Sequence, residues 1–221
     1  MMLTGITIFI LFAIFALLYL ESLWSNTITL VNVTLAALLA LSFFEPVANL
    51  IEGAAGVMKT FTYLWDYLTL WLMFCVFFGL LRMFTDVFSR TRVKFRPPIE
   101  IPGRLFMALM VGLVMISFIL TSFHVAPLPA APFSGGFASS PTSNTFLLFK
   151  PDRWLLSFLQ TVSKGSLARG TIPGYESPYP EDAGTNVFDP SGAFTLKYRQ
   201  RRRDLEAHAE KTSSLRVNVE G

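Results

Sequence analysis

The residue of this chain most able to do chemistry is a carboxylate inside an apolar stretch. Asp66 is surrounded by aromatic residues, namely Tyr63, Trp65, Tyr67 and Trp71. A carboxylate at the centre of a bilayer costs about 2.5–3.5 kcal/mol, so it normally has a partner or a function. Since Tyr and Trp concentrate at the membrane surface, we interpret the cluster as an aromatic belt with Asp66 in reach of headgroup water. A proton or ion relay at Asp66 is the alternative interpretation.

Motifs of hydrolases and metalloenzymes are missing from the sequence. Neither His-Glu-x-x-His nor Gly-x-Ser-x-Gly occurs, and the two histidines, His124 and His208, do not have metal-ligand spacing. The single cysteine, Cys75, excludes an internal disulfide. We therefore predict a protein that is not an enzyme and that binds no cofactor or metal, and we expect His124 to cap the outer end of an apolar helix.

Four apolar stretches with few charges must position these residues, and they predict an all-α integral membrane protein. A bilayer core of roughly 30 Å needs about 20 apolar residues in a helix. With 52% hydrophobic residues, such stretches in series leave no polar faces for water. The predicted spans, within a transmembrane domain of residues 1–125, are Leu3–Leu20, Ile28–Phe44, Phe61–Leu81 and Leu105–Phe123. We expect the second span to be the shortest, to end at Glu45-Pro46, and to be followed by a short helix against the membrane.

The distribution of basic residues predicts the orientation of the spans. Only Lys59 lies between the second and third spans, whereas the segment between the third and fourth is basic. Its basic residues are Arg82, Arg90, Arg92, Lys94, Arg96 and Arg104. By the positive-inside rule this loop is cytoplasmic, so the chain after His124 lies outside the cytoplasm. The N-terminus is then outside with four spans and inside with three, and nucleic acid is not an expected partner.

Small and amide side chains within the spans predict contacts between helices. Ala36 and Ala40 are four residues apart, as are Ala108 and Gly112, so each pair shares one helix face. Such faces let helices pack closely in lipid. The amide of Asn32 should find a partner on a neighbouring helix, because an unpaired amide is costly in hydrocarbon. We interpret all five residues as packing positions.

Residues 126–221 form a polar, loop-rich tail outside the membrane. We predict a linker over 126–145, an amphipathic helix over about 151–163 that either docks on the spans or lies in the outer leaflet, and a partly disordered remainder. The order Asp189-Pro190-Ser191-Gly192 is typical of a type I turn and predicts a small hairpin over residues 187–196. A basic run follows, and we interpret it as a solvated helix face, with contact to anionic lipid as the alternative. The run consists of Arg199, Arg201, Arg202 and Arg203.

The membrane part resembles the colicin V production protein family (CvpA) over about residues 1–125. The resemblance is carried by Leu30-Val31-Asn32-Val33 before an Ala-rich run, by Phe43-Phe44-Glu45-Pro46, by the basic loop, and by Pro102-Gly103-Arg104-Leu105. It implies a protein of the bacterial inner membrane with a role in toxin production or export and in envelope homeostasis. It further implies a non-enzymatic scaffold or secretion accessory whose partners are the lipid bilayer and either further copies of itself or other membrane and secretion proteins.

The alternative function is a small oligomeric transporter or channel. Such an assembly would pack through the Ala36/Ala40 and Ala108/Gly112 faces, with Asp66 near its mouth.

Overall fold

Helices account for nearly all of the described part of the chain. A computed structural model describes residues 2–55, 62–89, 96–128, 137, 149–165, 187–190, 192–204 and 206–207, and these ranges contain no strand. The helices are α1 (Met2–Leu18), α2 (Leu23–Ala55), α3 (Thr62–Phe88), α4 (Pro97–Val125) and α5 (Pro151–Ser163), followed by α6 over residues 194–204 and 206–207. The predicted helix at about 151–163 corresponds to α5. Most of the predicted linker, and most of the remainder predicted to be partly disordered, lie outside the described residues.

Three of the helices are long and apolar enough to cross a membrane. They contain the segments Leu23–Ile51, Leu64–Phe88 and Pro98–Val125, with mean hydropathies of 2.0, 1.9 and 2.4. α1 has 17 residues, which at 1.5 Å per residue give about 25 Å against a hydrocarbon core of about 30 Å. The chain is therefore built as a multi-pass membrane protein, but four full spans do not follow from helix length. The shortest apolar helix is the first, so the expectation that it would be the second is wrong.

α2 continues through the position at which we expected it to end. Pro46 lies inside the helix, although proline removes a backbone hydrogen bond and crowds the preceding turn. Phe44 and Ala48 on either side of Pro46 are fully buried, and α2 packs against both α3 and α4. Burial on both sides of the proline holds the helix together here, so the predicted break after Phe44 and the separate short helix are wrong.

The helices form an antiparallel bundle with two distinct ends. At the loop end, α1 and α3 finish while α2 and α4 begin; at the tail end, α2 and α4 finish and α3 begins. α1 packs on α4, and α5 packs on α4 as well. One apolar core extends from Leu41 of α2 through Phe118 of α4 to Leu159 of α5 and Tyr198 of α6. The helices of the tail therefore share the core of the bundle.

The predicted hairpin over residues 187–196 is wrong, because the turn leads into α6. Asp189 and Gly192 have positive φ angles of 43° and 67°. The Asp189 carboxylate accepts hydrogen bonds from the backbone N–H groups of Ala193 at 2.9 Å and Phe194 at 3.0 Å. The Asp189 carboxylate thus satisfies N–H groups at the start of α6, which have no partner within the helix. The same Asp-Pro-Ser-Gly order thus starts a helix whose Phe194 and Tyr198 enter the core.

Candidate functional site

The candidate site is the surface near the tail end of the bundle on which α6 packs. We call this surface the seat of α6. The Tyr198 hydroxyl donates a hydrogen bond of 3.1 Å to Oε1 of Glu45 in α2. Arg201, one turn further along α6, forms an ion pair with Asp66 in the first turns of α3. Asp66 lies in the second turn of α3, whereas Glu45 lies ten residues before the end of α2, so α6 packs along α2 near the tail end of the bundle. Two polar contacts thus join α6 to two different helices.

Asp66 is held by this contact rather than by solvent. Its exposed fraction is 6%, and its partner lies 135 positions later in the chain. Trp71, from the same aromatic cluster, packs edge-on against Phe118 at 5.3 Å between ring centroids. The interpretation of Asp66 as a carboxylate in headgroup water is therefore wrong, because α6 covers it and supplies a guanidinium. The paired guanidinium of Arg201 compensates for the loss of hydration of this buried carboxylate.

Arg202 makes a further polar contact between α6 and the bundle. It is 2% exposed, and its Nη1 donates to the carbonyl oxygen of Phe123 in α4 at 3.4 Å. Its guanidinium lies 5.9 Å from the ring centroid of Phe137. Burial, followed by repulsion from Arg199, lowers the pKa of Arg202 from its ordinary value, yet an arginine keeps its charge in proteins.

The basic run of the tail is therefore divided between the interior and the surface. Arg201 and Arg202 point into the interface, Arg199 is half-buried, and Arg203 is exposed. The interpretation of the run as a solvated helix face is wrong for Arg201 and Arg202.

A second buried contact fixes α5 to α4. Nε2 of His124 lies 2.9 Å from Oδ2 of Asp152, and both side chains are fully buried. Arg153 forms an ion pair with the same carboxylate, while the ring of Phe137 packs on His124 at 4.4 Å. Nδ1 of His124 has no hydrogen-bond partner among the described residues. His124 does not cap α4 as expected, since the cap is Ala126, whose N–H bonds to the Ser122 carbonyl.

Neither buried cluster has the composition of a metal site. Over the described ranges, no group of three or more His, Cys, Asp or Glu side chains converges in a way that would hold a metal ion. At the tail end, charged side chains of different helices pair with one another, and these pairs position the tail.

The loop end of the bundle carries a separate polar network. Nδ2 of Asn26 donates to the carbonyl oxygens of Leu18 at 3.1 Å and of Arg104 at 3.2 Å. The guanidinium of Arg104 lies 5.1 Å from the ring centroid of Tyr19. The first turn of α2 thus joins the end of α1 to the start of α4, and sequence reasoning missed Asn26 because only its position in the fold makes it a junction.

The residues predicted to set the topology are only partly described. Arg82 forms an ion pair of 3.2 Å with Asp86 and donates to Oγ1 of Thr29 at 3.1 Å. Arg96 is exposed. Arg90, Arg92 and Lys94 lie outside the described residues. Arg82 and Asp86 also line an open cleft of about 640 Å³ at this end.

The predicted packing residues lie inside the bundle. Nδ2 of Asn32 donates to Oγ1 of Thr85 in α3 at 2.9 Å. Ala36, Ala40 and Ala108 are fully buried. A Cβ added to Gly112 would lie 2.7 Å from Cδ1 of Leu11 in α1. These small-residue faces are covered within one chain, so they are not free to join copies of the chain into a channel.

The fold and the site define a multi-pass helical membrane protein whose C-terminal helices are bound to one end of the bundle. No protein-family model, no curated protein and no solved structure matches this chain.

Proposed function

We propose that this protein is a non-enzymatic scaffold of the bacterial inner membrane that supports toxin production or export and envelope homeostasis. This is the role implied by its resemblance to the colicin V production proteins. The observation that supports it most is the seat of α6, which contacts Glu45 of α2, Asp66 of α3 and Phe123 of α4. A segment held by three helices presents a surface in a fixed orientation, which lowers the ordering cost of binding a partner protein.

The charges at the opposite end of the bundle support a position of this surface outside the cytoplasm. Arg82, Arg96 and Arg104 all lie at the loop end, next to the basic segment of the chain. Basic residues within about 15–20 residues of the spans favour the cytoplasmic side. The tail end, with α5 and α6, is then outside the cytoplasm, where a secretion accessory would meet exported peptides or envelope proteins.

A reversal of one buried charge tests the role of the seat. Arg201→Glu places two carboxylates together, and removal of one partner of a buried pair costs about 3–5 kcal/mol. We expect cells that depend on this protein for colicin V export to lose export, while the amount of protein in the membrane is unchanged. The matched control is Arg203→Glu, an exposed position on the same helix, which should leave export intact.

Two further variants make the outcome decisive. The charge-swapped double variant Asp66→Arg with Arg201→Glu should recover part of the export that Arg201→Glu loses. Full export by Arg201→Glu, together with full export by a chain truncated after residue 165, would refute a scaffold that acts through its tail. A change in ion flux with Asp66→Asn while export is kept would favour the transporter alternative instead.

A further inference from the structure

α5 has two opposite faces, and only one of them is used by the bundle. Its buried face consists of Asp152, Leu155, Leu156, Leu159 and Ser163, together with Pro151 at the start of the helix. On the opposite face, Trp154 and Phe158 are 58% and 49% exposed. Phe149, just before the helix, is also exposed and packs edge-on against Trp154 at 5.7 Å between ring centroids. We call Phe149, Trp154 and Phe158 the aromatic face.

The depth of the aromatic face is fixed by the buried contact at the start of α5. Asp152 lies 2.9 Å from His124, which is in the last turn of the span Pro98–Val125. Trp154 follows Asp152 by two residues, so the backbones of the two residues lie about one helical turn, roughly 5 Å, apart. The predicted fourth span ends at Phe123, next to His124, so we infer that α5 begins close to the level at which α4 leaves the hydrocarbon. That level is the headgroup region of the bilayer.

The residue types on this face match the headgroup region. Large aromatic side chains concentrate at the membrane surface, where part of the ring is in hydrocarbon and part is near water. Ser157 and Thr161 share the exposed side of α5, and Lys164 at its end is exposed. A helix with aromatics on its outer face and cationic or hydroxyl groups around them is suited to lie along a bilayer surface.

We propose that the aromatic face of α5 is seated in the headgroup region of the leaflet at the tail end of the bundle. Lipid, rather than a partner protein, covers Trp154 and Phe158. The tail is thus held twice, by α6 on the bundle and by α5 on the membrane surface. This proposal goes beyond the scaffold function and does not depend on it.

The test places a fluorophore on the aromatic face of the full-length protein. The chain carries Cys75→Ser together with Phe158→Cys, is labelled with an environment-sensitive dye and is reconstituted in vesicles of zwitterionic and anionic phospholipids. Trp154→Cys serves as a second position, and both sites are exposed, so neither variant removes a core side chain. Gln200→Cys, on the exposed side of α6, is the control in water. The natural Cys75, exposed within a span, is the deep reference.

The positions should differ in which quencher reaches them. At Phe158 and Trp154 we expect at least about twofold stronger quenching by lipids labelled near the headgroup than at Gln200, as an interfacial position requires. Lipids labelled at the chain end should quench Cys75 better, and aqueous iodide should quench Gln200 best. Iodide quenching at Phe158 equal to that at Gln200 would place the face in water and overturn the proposal. Protection from lipid quenchers and iodide alike would mean that protein covers the face, which also overturns it.

Discussion

At the level of single residues, the carboxylate of Asp152 contacts two other side chains in the interior of the protein. It is fully buried and contacts Nε2 of His124 at 2.9 Å, and it also pairs with Arg153. An exposed ion pair contributes little to stability, but removal of one partner of a buried pair leaves the other without compensation. This carboxylate therefore supplies the buried polar contact between α5 and α4, beside the apolar contacts of Leu155, Leu156 and Leu159 with the core.

Asp152→Ala should destabilise the protein by about 3–5 kcal/mol, because His124 and Arg153 would both lose their buried contact with the carboxylate. The control is Asp204→Ala, since Asp204 is exposed on α6, and such a surface change costs less than about 0.5 kcal/mol. Thermal unfolding of the purified protein in detergent measures the difference. Equal melting temperatures for the two variants would show that the contact does not hold α5 in place.

Residue types predicted which side chains need partners but not which partners they find. Asn32 was expected to bond to a neighbouring helix, and it donates to Thr85 of α3. Asp66 was recognised as unusual, yet its partner Arg201 is 135 positions away. No local pattern links two residues at that separation, because their pairing depends on where α6 packs. The sequence alone therefore indicates a solvated Arg201.

At the level of helices, α1 and α4 approach each other closely at Gly112. A Cβ at this position would lie 2.7 Å from Cδ1 of Leu11, so the Leu11 side chain would have to shift. Because α1 has no polar face and only 17 residues, its position in the bundle depends on close packing rather than on burial from water.

Gly112→Val should therefore loosen α1, at a cost of about 1–3 kcal/mol for overpacking. Gly79→Val is the matched control, since Gly79 lies in α3 with nothing within 4 Å of an added Cβ. The measurement is the thermal midpoint of each variant in detergent, with protease sensitivity of the N-terminus as a second readout. If Gly79→Val destabilises the protein as much as Gly112→Val, the close contact between α1 and α4 is not the cause.

Helix positions could be predicted from the sequence, but their ends depended on tertiary packing. The apolar run Ile28–Phe44 indicated the centre of α2, whereas the helix extends over Leu23–Ala55. Pro46 is a reasonable stop signal in isolation, and burial of Phe44 and Ala48 in the core overrides it. The start of α6 was missed for a related reason, because a turn before a strand and a cap before a helix use the same residues.

At the level of the whole molecule, the two ends of the bundle differ in how they use charge. At the loop end, Arg96 is exposed and the basic segment is adjacent. At the tail end, Arg201 is paired with Asp66, and Arg202 is buried against α4. Arg203 stays exposed, but it lies far beyond the about 15–20 residues from a span within which basic residues set topology, so the two ends are consistent with the positive-inside rule.

The packing of α1 leads to a prediction on how many times the chain crosses the membrane. Asn26 bonds to the Leu18 carbonyl at the loop end, while Leu3 packs with Ile116 and Leu120 towards the tail end. α1 thus runs along α4 between the two ends. A helix of about 25 Å can cross if the bilayer thins locally, so we expect the N-terminus to lie on the same side as α6.

Single cysteines in a Cys75→Ser background measure this topology in intact cells with a reagent that does not cross the membrane. We expect labelling at Met2→Cys and Gln200→Cys, and none at Glu21→Cys until the cells are opened. Labelling at Gln200 with protection at Met2 would mean three crossings, with α1 inserted only partway. Labelling at Glu21 with protection at Gln200 would reverse the orientation, and α6 would then face the cytoplasm. In that case the basic segment next to Arg96 does not set the topology, and partners of the tail would have to be cytosolic.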